Sequence, residues 1–163
     1  MDEQIQKGQK WLETLLKLMA VPANVNVNRL EQKGDQIISS WLTIDESTLD
    51  LSKIEALTGK KGETIDAIQY LANALLNIGV DENSHRFFTV ELNGYRLRRQ
   101  AELMAIAQRA AEKVRLTGVP EEIRNLSSVE RRQIHSILEK SEDLSTESQG
   151  NEPDRRLLVK LRE

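Results

Sequence analysis

The chain has 163 residues, 39% hydrophobic and 30% charged, with no cysteine and a formal net charge of −3. That composition excludes a disordered polymer, a disulfide scaffold, thiol catalysis and cysteine-ligated metal sites. No apolar run approaches the roughly 18 residues of a membrane helix, and the opening MDEQIQKGQKW lacks the basic start and apolar core of a signal peptide. A cytoplasmic protein of one or two domains, without a membrane span, is expected.

In the first part, Ile5, Leu12, Leu15, Leu16 and Met19 recur at helical spacing, with Trp11 at the margin and Pro22 as the stop. Val25 and Val27 alternate with asparagines as in a half-buried strand, Lys33-Gly34-Asp35 reads as a hairpin turn, and residues 36–44 form the returning strand with Trp41. After a polar loop from Asp45 to Asp50, Ser52 and Glu55 have the spacing of a capping box. They open a short helix packed by Leu57 and ended by Gly59. Ile65, Ile68, Ala72, Leu75 and Leu76 give the next helix one apolar face, with Gly79 as its C-cap. Residues 87–92 form a third strand, and Asn93-Gly94 marks a turn and the expected domain junction.

Between the two middle helices lies Gly59-Lys60-Lys61-Gly62. Two glycines allow a sharp turn and close approach of a partner. Backbone N–H groups at the start of the following helix favour anions, and Lys60 and Lys61 add mobile positive charge. A pair of helices around G-x-x-G is how a KH domain clamps about four nucleotides. The segment LTGKKGETIDAIQYLANALLN resembles the KH domain of the Jag (SpoIIIJ-associated, KhpB) family of bacterial proteins, with Thr58 where that family usually has isoleucine. The order helix, strand, strand, helix, helix, strand is that of the type II KH fold. The expected fold class is therefore α+β, with a type II KH domain over residues 1–94.

Residues 95–163 carry 14 Lys+Arg against 12 Asp+Glu, whereas residues 1–94 carry 9 against 14. A mildly acidic chain binds nucleic acid where its basic residues converge in one groove. A helix over about residues 96–116 is expected to bury Leu97, Ala101, Met104, Ala111 and Val114. Arg96, Arg98 and Arg99 crowd its first turn, against the helix dipole, which leaves open both a solvated entry and a binding role. Gly118-Val119-Pro120 ends it and a short strand follows over residues 122–126. Ser127 and Glu130 form a second capping box opening a helix to about Lys140, and a hairpin around Gly150-Asn151-Glu152-Pro153 closes the chain.

Arg131 and His135, four apart, share a face of that helix. An arginine fork suits phosphate, and histidine donates a hydrogen bond or stacks on a base. The clusters SSVERRQIH and STESQGNEPDRRLLV resemble the second half of the Jag family, an R-x-x-x-H domain known for binding single-stranded nucleic acid. The resemblance implies a small α/β domain over residues 95–163, a short antiparallel sheet packed on two helices. Asn125, Leu126 and Val129 replace a Pro-Met pair and an aromatic residue usual there. Longer family members carry an additional N-terminal domain and linker, which this chain is expected to lack.

Catalysis is not expected. Ser136 adjoins His135, but neighbours on a helix point about 100° apart. Two histidines without cysteine make a poor transition-metal set, and Gly59–Gly62 lacks the length and terminal Lys-Ser/Thr of a Walker loop. No cofactor is expected. The expected RNA contacts are Gly59, Lys60, Lys61, Gly62, Arg98, Arg99, Arg131 and His135. The resemblance further implies regulation of messenger or small RNAs, links to cell elongation and division, and a small KH protein or a second copy as partner. The alternative is a protein-interaction scaffold that dimerises through the KH surface, for which Trp11 and Trp41 would be exposed apolar contacts.

Overall fold

The structure is a computed structural model that describes residues 3–33 and 36–162. Gly34 and Asp35 of the expected hairpin turn lie outside the described residues. The fold is mixed α+β, and the chain divides into two compact units, Met1–Arg96 and Leu97–Glu163.

The first unit runs α1 (Glu3–Leu18), β1 (Val25–Lys33), β2 (Gln36–Ile44), α2 (Leu51–Thr58), α3 (Glu63–Leu76) and β3 (Phe87–Leu92). This is the element order expected from its periodicities. β1 pairs antiparallel with β2, from Val25 opposite Ile44 to Lys33 opposite Gln36, and β2 pairs parallel with β3. A parallel neighbour needs a crossover, and α2 with α3 supplies it. Leu12 and Leu16 of α1, Ile65, Ile68, Ala72 and Leu76 of α3, and Leu42, Phe88 and Val90 of the sheet share one core.

β3 is an edge strand in the order β1-β2-β3, and α3 satisfies its outer edge. Gln69 and Asn73 of α3 and Asn77, which caps its C-terminus, recur every four residues. Asn73 Nδ2 donates to Phe88 O (2.8 Å) and Asn73 Oδ1 accepts from Phe88 N (2.9 Å). Asn77 repeats the pair at Arg86 (3.0 Å each), and Gln69 Oε1 accepts from Val90 N (3.0 Å). Side-chain amides thus occupy the edge that another strand would otherwise join.

Several local expectations shift. α2 is capped by Asp50, whose carboxylate accepts from Lys53 N (2.9 Å), not by the expected Ser52–Glu55 box. The helix starts at Leu51, so Ser52 already lies inside the first turn and its hydroxyl is in the wrong place to cap. α1 stops at Leu18, and Ala20 turns the chain at φ 60° before Pro22 is reached. α3 ends on Asn77, with Gly79 in the turn beyond. Leu75 is 46% exposed, off the buried stripe that ends in Leu76. Trp11 and Trp41 are both half-buried, and Trp11 packs against the core, because α1 lies on the sheet along that side.

The second unit holds most of α4 (Tyr95–Thr117), then β4 (Glu121–Ile123), α5 (Ser128–Leu138), β5 (Leu144–Gln149) and β6 (Arg156–Leu161). Its sheet is antiparallel in the order β4-β6-β5. α4 buries Leu103, Ala107, Ala110, Ala111 and Val114; of the expected stripe Ala111 and Val114 are buried, whereas Leu97, Ala101 and Met104 are exposed. The small-residue face of α4 enters the second core, and Leu97 and Met104 stay about half exposed. Ile134 and Leu138 of α5 and Ile123, Leu144, Leu157 and Val159 of the sheet complete this core.

Candidate nucleic-acid interface

In the first unit, Gly59 ends α2 and Gly62 starts α3, at φ 73° and 82°. Between them Lys60 and Lys61 make one tight turn, with Lys61 itself left-handed at φ 54°. A Cβ on Gly59 would stand 2.3 Å from Thr64 Oγ1, and one on Gly62 would stand 2.1 Å from the Tyr95 hydroxyl. Both glycines are therefore required by the chain's own packing. The expectation that their bareness admits an RNA backbone is modified: on the Cβ side Thr64 and Tyr95 hold that space. Lys60 and Lys61 project into solvent, and neither has an ion-pair partner among the described residues. Gly62 offers no side-chain acceptor to the first-turn N–H groups of α3.

The three arginines at the start of α4 separate. Arg96 is locked onto the first unit, donating to Val90 O (3.0 Å) and Gln69 Oε1 (3.1 Å) and pairing with Asp66. Its backbone N–H and that of Leu92 are held by the buried Glu91 carboxylate. Arg99 donates to Glu130 (2.6 Å) and Glu102 (2.7 Å). The Glu130 hydrogen bond, helped by Glu102, raises its pKa further above the ordinary arginine value. Two donors of the Arg99 guanidinium, Nε and Nη1, are thus taken by carboxylates, which makes Arg99 an internal tie within the second unit. Arg98 is exposed.

The capping box at the start of α5 forms as expected. Ser127 Oγ accepts from Glu130 N (3.2 Å), and Glu130 Oε2 accepts from Ser127 N (2.9 Å). This box sets the face that α5 turns toward the β5–β6 hairpin. Arg131, on that face, is only 4% exposed. It donates to Leu126 O (2.7 Å) and Arg155 O (3.4 Å) and pairs with Glu152. Arg131 thus ties the loop before α5 to the hairpin turn, and the expectation of a free phosphate fork there gives way to a clamp. His135, one turn on, is exposed and its Nδ1 meets the Thr146 hydroxyl of β5.

Above Arg131 lies an open cavity of about 420 Å³ between α5 and the hairpin. Arg131 and His135 both line it, so the structure does bring the pair to one site. The exposed cations there are Arg132 and Arg155, and neither side chain has a partner among the described residues. Ser128, Thr146 and Ser148 add hydroxyls to the walls. Sequence reasoning named neither Arg132 nor Arg155 as a contact. The signal was present in the paired arginines of VERRQ and PDRRL, where one member of each pair points inward or to the sheet and the other stays free. The cavity keeps a positive balance: Glu152, which also lines it, is paired with Arg131, while the guanidinium groups of Arg132 and Arg155 and the hydroxyls of Ser128 and Ser148 are left to meet an anion beside the His135–Thr146 pair.

Residues 101–161 match the R-x-x-x-H domain family. RNA-binding protein KhpB of Clostridium symbiosum is 33% identical over 158 residues, 96% of this chain and 65% of its own length. The protein of that name from Lactiplantibacillus plantarum is 34% identical over 113 residues, 69% of this chain and 34% of the relative. That from Bacillus subtilis is 26% identical over 157 residues, 95% of this chain and 69% of the relative. The chain therefore spans about two thirds of the first relative and a third of the second. The matched segment holds α5, the β5–β6 hairpin and their cavity, and the chain is similar over nearly all its length to bacterial proteins named RNA-binding protein KhpB.

Proposed function

We propose that this chain binds single-stranded RNA without catalysis, through a type II KH domain in its first unit and the R-x-x-x-H region in its second. The observation that carries the reading is the α5–hairpin cavity, where three arginines meet one carboxylate: Glu152 pairs with Arg131, and Arg132 and Arg155 face solvent with no ion pair among the described residues. A strand's phosphates supply the missing counter-charge, and the names of the relatives favour RNA over other polyanions. In the first unit, Lys60 and Lys61 contact phosphate at the G-x-x-G turn, with Gly59 and Gly62 shaping it. Arg98 adds charge, His135 reaches the strand beside Arg132, and Arg131 holds the hairpin in place. Two weak modules on one chain gain effective concentration, so the whole binds more tightly than either. The cell-biological reading is post-transcriptional regulation in the cytoplasm.

The test is a fluorescence-anisotropy titration of the full chain with a single-stranded RNA pool and a duplex of equal length. Single strands win if bases must be splayed for stacking. Replacing Arg132 and Arg155 by Glu, or Lys60 and Lys61 by Asp, lowers affinity in each case. Tighter binding to the duplex, or affinity unchanged in both variants, rejects the reading.

A second reading has its own observation. Outside its buried stripe α3 exposes Tyr70 (73%), Leu71 (42%) and Leu75 (46%), and Ile78 (68%) in the turn after it is exposed too. An apolar helix stripe of this kind suits self-association or a small KH-type partner. Sedimentation of Leu75→Asp against the parent decides it: identical mass for the two removes the scaffold reading.

A further inference from the structure

The α5 helix carries two adjacent stripes. Ser128, Arg131 and His135 face the anion cavity, while Val129, Gln133, Ser136 and Ile137 face a separate cleft of about 350 Å³ against α4. Arg132 stands between the stripes and lines both. The cleft has an apolar floor and wall, formed by buried Leu103, half-buried Ile137 and Val129, which is 62% exposed. Gln100 of α4 and Gln133 of α5 stand at the rim, exposed, and neither amide has a hydrogen-bond partner among the described residues.

We infer that this α4–α5 cleft is a base-binding subsite, taking the adenine of a nucleotide whose phosphate lies against Arg132 in the neighbouring anion cavity. The inference rests on the RNA-binding reading and names the part of the strand that the cleft holds. Three features select this occupant. Arg132 joins the cleft to the anion cavity, so one residue serves both the phosphate and the edge of the base. The floor is aliphatic, from Leu103, Val129 and Ile137, so a flat ring packs on it by dispersion and loss of apolar surface to water, without regard to sequence. The two free amides then supply the selectivity: a glutamine amide presents a donor and an acceptor together, the pair that matches N6 and N7 of adenine. A cleft of this size lies at the low end of small-molecule sites, suited to one heterocycle and not to a peptide helix.

The experiment uses the full chain and labelled eight-residue oligo(A) and oligo(U) RNA at one fixed salt concentration. The double variant Gln100→Met/Gln133→Met keeps side-chain length and removes the amides, and both sites are exposed, so the fold is retained; circular dichroism checks this. The expected result is a loss of about tenfold in oligo(A) affinity, the lower end of what one bidentate amide–base pair contributes, with oligo(U) affinity unchanged. A second variant, Ser136→Phe, fills the cleft and weakens both oligonucleotides. If the amide variant binds oligo(A) as the parent does while Arg132→Glu/Arg155→Glu still loses binding, the subsite is overturned and the RNA-binding reading stands. If the parent binds neither oligonucleotide, both fall together.

Discussion

Replacing Arg131 by alanine should damage the stability of the second unit more than it damages phosphate contact. The guanidinium is nearly buried, and its shortest neutral contact is the Leu126 carbonyl at 2.7 Å. Losing a hydrogen bond to a charged donor costs about 1.5–3 kcal/mol. The 3.4 Å contact to the Arg155 carbonyl adds little. The ion pair with Glu152 is discounted to about 0–1 kcal/mol, because the Glu152 side chain is 59% exposed and rehydrates when released. Together the loss is about 1.5–4 kcal/mol, which for a domain this small lowers Tm by on the order of 10–30 °C. Both tryptophans, Trp11 and Trp41, lie in the first unit. Tryptophan fluorescence therefore follows that unit alone, while far-ultraviolet circular dichroism follows both. Arg131→Ala should shift a circular-dichroism transition and leave the fluorescence transition in place. Arg132→Ala should do the reverse of its neighbour, moving stability by no more than about 0.5 kcal/mol while reducing the log–log salt slope of RNA binding by about 0.7. If Arg131→Ala melts like the parent and instead loses the slope of one phosphate, the clamp assignment is wrong.

Three further outcomes follow from individual contacts. Gly62→Ala forces a Cβ toward the Tyr95 hydroxyl at a residue already at φ 82°, so the tryptophan-detected urea midpoint should fall by the equivalent of about 2–4 kcal/mol; an unchanged midpoint would show that Tyr95 moves aside freely. Asn73→Ala removes both hydrogen bonds that satisfy Phe88 on the β3 edge, a loss of about 2–4 kcal/mol, with faster hydrogen exchange at Phe88 as the local readout. Arg115 donates to Asp143 at 2.6 and 3.0 Å, and that hydrogen bond holds the Asp143 pKa below the usual carboxylate value. A depressed carboxylate adds stability above its unfolded pKa and loses it as pH falls through the folded one. The Tm deficit of Asp143→Asn should thus be present at neutral pH and vanish in acid; a deficit that persists below the folded pKa would assign it to something other than charge.

Most of the element order was readable from the sequence, and the physics of that is local. Alternating Val25 and Val27, the 65-68-72-76 steps of α3 and the Ser127–Glu130 box are patterns within one turn or one strand, set by backbone geometry alone. The strands β2 and β3 fell where their residues placed them, and β5 and β6 flank the expected turn at Gly150–Pro153. What stayed hidden needed a partner distant in sequence. α4 has apolar residues on more than one face, and only the folded core of the second unit selects the alanine stripe over Leu97 and Met104. Gly59 and Gly62 look like a vacancy in sequence, yet Thr64 and Tyr95 fill the space beside them. The i and i+4 spacing did put Arg131 and His135 on one face, but spacing says nothing of depth. The hairpin that returns from residue 152 closes over Arg131 and leaves Arg132 and Arg155 bare. Which arginine is buried as a clamp and which is free for a ligand depends on desolvation and on carboxylates and carbonyls supplied by other elements, and those meet only when the chain has folded.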